Sequence, residues 1–213
     1  MDHIIADAVD FVRETFRSDF SGHDASHTMR VYKTALRIAE NEHADQTVVA
    51  LAALLHDVDD IKLSPKTHRE KARAVSFMQA HGLPAETVKT VCGIIEEVSF
   101  AGMDSVTPET IEGKCVQDAD RLDAIGAVGI GRAFAYGGSH GRAMYDPAVA
   151  PTPDMDAKAY RQHKSTTINH FYEKLFLLKD MLNTKTAKAI AEQRDAFMHA
   201  FLEEFLREWE GLS

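Results

Sequence analysis

Residues 51–60 of this 213-residue chain read Leu-Ala-Ala-Leu-Leu-His-Asp-Val-Asp-Asp, and no other stretch constrains the fold as much. Val48, Leu51, Ala52 and Leu55 recur at the spacing of one helix face, and the residues between them are also apolar. The pattern predicts a central, buried helix. Such a helix has no inexpensive way to end in His56, Asp57, Asp59 and Asp60, because a buried carboxylate must be paired, hydrogen-bonded or bound to a cation. Two arrangements tolerate the cluster: a divalent metal that gathers the charges, or a wet helix end whose charges face solvent.

The rest of the chain supports the helical reading. Ile5, Ala8, Val9 and Val12 form a first amphipathic stripe, ending in a polar turn at Ser18 to Gly22. Asp24 or Ser26 can cap a second helix with Val31, Ala35, Ile38 and Ala39 on one face and His27 at its start. After a connector at 61–67, a helix is expected from about His68 to Ala80, stopped by His81-Gly82-Leu83-Pro84. Val88, Val91, Cys92, Ile95 and Val98 mark the next helix, and Ile111, Cys115, Val116, Ala119 and Leu122 the one after. Gly126, Gly129, Gly131, Gly137, Gly138 and Gly141 read as close helix packing followed by a loop. From Gly137 to about Pro153 no period is visible, and a loop of that length is a functional lid or disordered. Two long helices are expected over 157–182 and 184–211. The predicted fold is all-α, a single domain over 1–213 with a core at 20–130 and a C-terminal helical extension at 155–211.

A net charge of -9 argues against a basic surface for polymeric nucleic acid. It does not exclude a nucleotide, because a bound metal neutralises phosphates locally. No apolar run approaches the ~20 residues of a membrane span, and the acidic, amphipathic start is unlike a signal peptide. Cys92 and Cys115 form no CxxC and are read as core thiols of a reducing compartment. A soluble, cytoplasmic protein is expected.

His27, the pair His56-Asp57, and an acid of Asp118-Ala-Asp120-Arg-Leu-Asp123 each sit on or beside an apolar helix face, so three packed helices can aim them at one point. Two imidazoles and two carboxylates suit Mn, Fe, Co, Ni or Zn, and the carboxylates also accept Mg. In this order, His27-Thr-Met-Arg-Val31, Ala52-Ala-Leu-Leu-His-Asp57 and Gln117-Asp-Ala-Asp-Arg-Leu-Asp-Ala124 resemble the motifs of the HD-domain metal-dependent phosphohydrolase superfamily. Asn169-His-Phe-Tyr-Glu-Lys-Leu175 resembles a C-terminal motif of its small bacterial hydrolases.

The resemblance implies an HD-domain helical bundle with additional C-terminal helices and a metal held by His27, His56, Asp57 and Asp120. Asp118 or Asp123 is then left for a supporting hydrogen bond. Dinuclear relatives place further His ligands before the last Asp; none lies between Gly82 and Ser139 here, so one divalent ion is expected, with His68 as the loophole. Asp60 is the candidate to guide or deprotonate the attacking water. Lys62 is the preferred phosphate contact and Lys174 a second, while Lys66, Arg69, Arg121, Arg142, Lys164 and His170 are further candidates. The implied function is phosphohydrolysis of a small nucleotide. Pyrophosphohydrolysis of a nucleoside triphosphate comes first; the alternatives are a nucleoside monophosphate phosphomonoesterase or a nucleotide-binding sensor without turnover.

Overall fold

The computed structural model of the chain describes residues 2–17, 24–59, 67, 70–100 and 102–212. Asp60, Lys62, Lys66, His68 and Arg69, and the turn expected after Arg17, lie outside them. The fold is all-α. Among the described residues there are ten α-helices and no strand: α1 Asp2–Thr15, α2 Ala25–Glu42, α3 Gln46–Leu55, α4 Ala72–Ala80, α5 Ala85–Val98, α6 Ile111–Asp123, α7 Gly126–Ser139, α8 Ala157–Gln162, α9 Leu177–Asp180 and α10 Lys185–Trp209. None of these helices is long and apolar enough to cross a membrane. The chain forms two compact units, one of Met1–Ser99 with Val106–Asp120, the other of Phe100–Ser105 with Arg121–Ser213.

In the first unit α3 is the hub, packed against α1, α2 and α5. Every residue from Val49 to Leu55 is buried, so beyond its first turn the helix has no solvent face, as its unbroken apolar run predicts. Asp45 starts it by accepting from the N–H groups of Thr47 (2.8 Å) and Val48 (3.1 Å). Asp24 starts α2 in the same way, its carboxylate accepting from the His27 N–H at 2.7 Å. Val31, Ala35, Ile38 and Ala39 of α2 have no accessible surface. The helix expected from His68 begins instead at Ala72, after Lys71 turns the chain through a left-handed conformation (φ 46°). Cys115 is buried, but Cys92 is only half-buried; it lines a cleft of about 410 Å³ with Val75, Leu83 and Val88, so it is not the core thiol expected.

In the second unit the glycine-rich stretch is the first part of α7, which packs on α10. A Cβ at Gly129 would run into the carbonyl oxygen of Ala124, and one at Gly137 into the Thr167 hydroxyl. Close packing is therefore what Gly129 and Gly137 provide, and the helix runs to Ser139 before the irregular segment begins. Phe134 meets Phe201 and Phe205, and Tyr145 meets Phe205 and Trp209, edge-on or tilted.

One long helix over 157–182 does not form. α8 ends at Gln162, residues 163–166 are not helical, 171–175 wind as a wider π-type turn, and α9 is one turn long. The buried polar side chains of this segment are engaged with the loop before it. Asn169 Nδ2 donates to Val149 O at 2.8 Å, and Glu173 Oε1 accepts from the Thr152 N–H at 3.1 Å and contacts His163 Nε2 at 2.9 Å. The backbone N–H groups of Thr167 and Ile168 donate to Ala143 O and Met144 O. Bonds of this kind compete with the helical ladder. They also hold the aperiodic 140–156 segment at several points along its length.

Candidate metal centre

Three helices of the first unit supply the candidate site. His27 is the third residue of α2, held by the Asp24 cap. His56 ends α3, with Asp57 in the turn beyond it, and Asp120 comes from α6. His27, His56 and Asp57 are all buried, and each has a donor atom within 4.8 Å of those of the others. The Oδ2 of Asp57 lies 3.4 Å from His27 Nε2 and 3.3 Å from His56 Nε2. The Oδ1 of Asp120 lies 3.3 Å from His27 Nε2 and 4.0 Å from His56 Nε2.

These spacings bear directly on whether a cation fits. Ligand atoms about 2.0–2.2 Å from a shared ion stand about 3 to 4 Å from one another. His56 adds a second sign: its Nδ1 donates to Ala53 O at 2.8 Å, which leaves Nε2 as the lone-pair nitrogen. That Nε2 is buried and makes no hydrogen bond of good geometry. Burial pulls the His56 pKa down, but the charges of Asp57 and Asp120 outweigh it and hold it above its ordinary 6.5. For Asp120, burial pushes the carboxyl up, and the contacts with His27 and His56 prevail and lower it. Two imidazoles and two carboxylates form a donor set that divalent first-row metals accept.

The remaining candidates fall elsewhere. Asp118 is fully buried on α6, and Asp123, far from being on an exposed acidic face, is buried and paired with Arg132 at 2.8 Å. Arg121 is buried and donates to the Met181 carbonyl. Arg142 lies over the Tyr136 ring, 5.2 Å from its centroid. Lys174 lies over Phe100 at 4.7 Å and Tyr160 at 5.8 Å. Because no continuous helix runs through them, Lys164, His170 and Lys174 do not share one helix face. Asp60 and Lys62 lie outside the described residues.

Two buried polar residues beside the ligands have partners that the sequence did not identify. Gln117, without accessible surface, donates through Nε2 to Glu97 O (2.6 Å) and Val106 O (2.9 Å), one turn before Asp120. Asp59, two residues after Asp57, accepts from the N–H groups of Arg73 and Ala74. Asp59 was marked by the sequence as a carboxylate in need of a partner, and Gln117 only as a polar residue inside an apolar pattern.

Comparison with known proteins places the chain among relatives. The HD domain family model matches residues 24–125, a span that contains all four donor residues. The chain is 38% identical to YpgQ of Bacillus subtilis over 204 residues, covering 95% of this chain and 92% of YpgQ. The crystal structure of YpgQ in complex with ADP superposes with a TM-score of 0.75 at 38% identity, over 96% of this chain and 100% of that one. An HD-superfamily hydrolase from Bacillus thuringiensis gives 0.77 at 40% identity over 98% of both chains. A protein from Lactobacillus plantarum gives 0.88 at 39% identity over 99% of both.

Proposed function

Because this chain belongs to the HD-domain phosphohydrolase superfamily, we propose that it is a metal-dependent hydrolase of small nucleotides, cleaving a nucleoside triphosphate to release pyrophosphate. The observation that carries the reading is the meeting of His27, His56, Asp57 and Asp120 around donor spacings of 3.3 to 4.0 Å. The ADP bound by YpgQ supports a nucleotide as the ligand class. In this reading those four residues hold one divalent cation.

When bound, such an ion supplies Lewis acidity toward a phosphoryl oxygen and toward the attacking water. The protein does the rest. Ala53 O holds the His56 ring in the tautomer that leaves Nε2 free for the ion. Asp60, three residues after Asp57, is proposed to accept the proton of the attacking water. Lys62 is proposed to offset charge on the transferring phosphoryl group, with Lys174 as a second phosphate contact.

The test is a turnover screen of the purified protein with nucleoside mono-, di- and triphosphates in Mn, Mg, Co, Ni, Fe and Zn, with products resolved as phosphate or pyrophosphate. Metal-dependent pyrophosphate from triphosphates is the expected result. Phosphate from monophosphates alone would replace it with the phosphomonoesterase reading. Saturable nucleotide binding with no product from any metal would identify a sensor.

A further inference from the structure

Asp59 is 3% exposed, and its carboxylate reaches across the chain. Oδ1 accepts from the N–H of Arg73 at 3.3 Å and Oδ2 from that of Ala74 at 3.0 Å, residues 14 and 15 positions downstream. These N–H groups belong to the first turn of α4, whose own N-cap residue, Lys71, offers no side-chain cap. A helix start with uncapped donors and a buried carboxylate each need the other.

The partner of this cap is what matters. His56 is the C-cap residue of α3, and Asp57 lies in the turn beyond the helix. The turn that carries them is closed on one side by a 3.4 Å bond from the Val58 N–H to Leu55 O. Asp59 anchors its other side to α4. We propose that Asp59 is a positioning residue for the metal centre: by clamping the α4 N-terminus it fixes the turn that brings His56 and Asp57 to His27 and Asp120. The inference rests on reading those four as metal ligands.

The experiment measures Mn²⁺ affinity by calorimetric titration in the wild type, Asp59→Ala, Asp59→Asn and Thr184→Ala, with amide hydrogen exchange at Arg73 and Ala74 in the metal-free chains. Both Asp59 variants lose the charge, but Asn keeps one acceptor. Thr184→Ala is the control for simple cap loss, since Thr184 Oγ1 accepts from the Ala187 N–H at 3.2 Å to start α10. Asp59→Ala is expected to weaken Mn²⁺ binding about tenfold or more, in the range of outer-shell losses, and to speed exchange at both amides. Asp59→Asn should stay well closer to wild type, and Thr184→Ala should leave the affinity unchanged. Equal losses in the Ala and Asn variants would reduce Asp59 to a bulk charge effect and overturn the inference, as would a loss no larger than that of the control. If Asp59→Ala fails to fold, Asp59→Leu, which fills the space without an acceptor, takes its place. A wild type that binds no Mn²⁺ would instead remove the metal-centre reading itself.

Discussion

Replacing Gln117 with Met keeps the length and approximate volume of the side chain and deletes its two donors. Gln117 Nε2 donates to Glu97 O at 2.6 Å and to Val106 O at 2.9 Å. Glu97 lies in the last turn of α5, whose carbonyls have no partner within the helix. A neutral hydrogen bond is worth about 1 kcal/mol net, and a buried acceptor left unmade costs about 1–3 kcal/mol. Glu97 O takes most of that penalty. Val106 is 53% exposed, so water can replace Gln117 at its carbonyl. The sum comes to about 2–4 kcal/mol. Urea unfolding followed by far-UV circular dichroism measures it across the whole chain, whereas the fluorescence of Trp209, the single tryptophan, reports only the unit that contains it. A loss below about 0.5 kcal/mol would fall within the scatter of ordinary surface substitutions. It would show that Gln117 does not join α6 to the end of α5 in the way described.

His56→Ala should lower bound divalent metal at least tenfold by elemental analysis after dialysis against dilute Mn²⁺, and a variant with wild-type metal content would refute its role as ligand. Gly129→Ala should cost about 1–3 kcal/mol, because its Cβ would meet the backbone carbonyl of Ala124, which cannot move aside as a side chain can; an unchanged denaturation midpoint would refute the packing argument. At pH 8 a thiol-specific alkylating reagent should modify half-buried Cys92 well before Cys115, whose thiol burial pushes up to about 12, and mass spectrometry of the peptides would expose the reverse order.

Much of the first unit was legible because its signals are local. The unbroken apolar run of α3, the stripe of α2 and the aspartate ahead of His27 each speak to residues within a turn or two. The ordered series of His27, His56-Asp57 and Asp120 pointed to one location before any coordinates. The second unit was less legible for a physical reason. Ile168, Phe171, Leu175, Leu178 and Leu182 are all buried and recur every three or four residues, so the period advertises a continuous helix. What the period does not reveal is the non-helical 163–166 stretch before it, or the bonds of Asn169 and Glu173 to Val149 and Thr152 in a segment with no period of its own. The partners of Gln117 and Asp59 were obscure for the same reason: they lie 11 to 20 and 14 to 15 residues away.

The tethering of residues 140–156 has a practical corollary for anyone wishing to label or rewire this protein. Irregular, solvent-facing backbone normally invites an affinity tag, a fused partner or a relocated chain end. Here the stretch between Ala143 and Thr152 would be a poor choice, because splicing into it forces apart bonds that seat Asn169 and Glu173. Gly82 is the better port of entry: it occupies a left-handed turn (φ 69°) with no atom within 4 Å of where a side chain would begin.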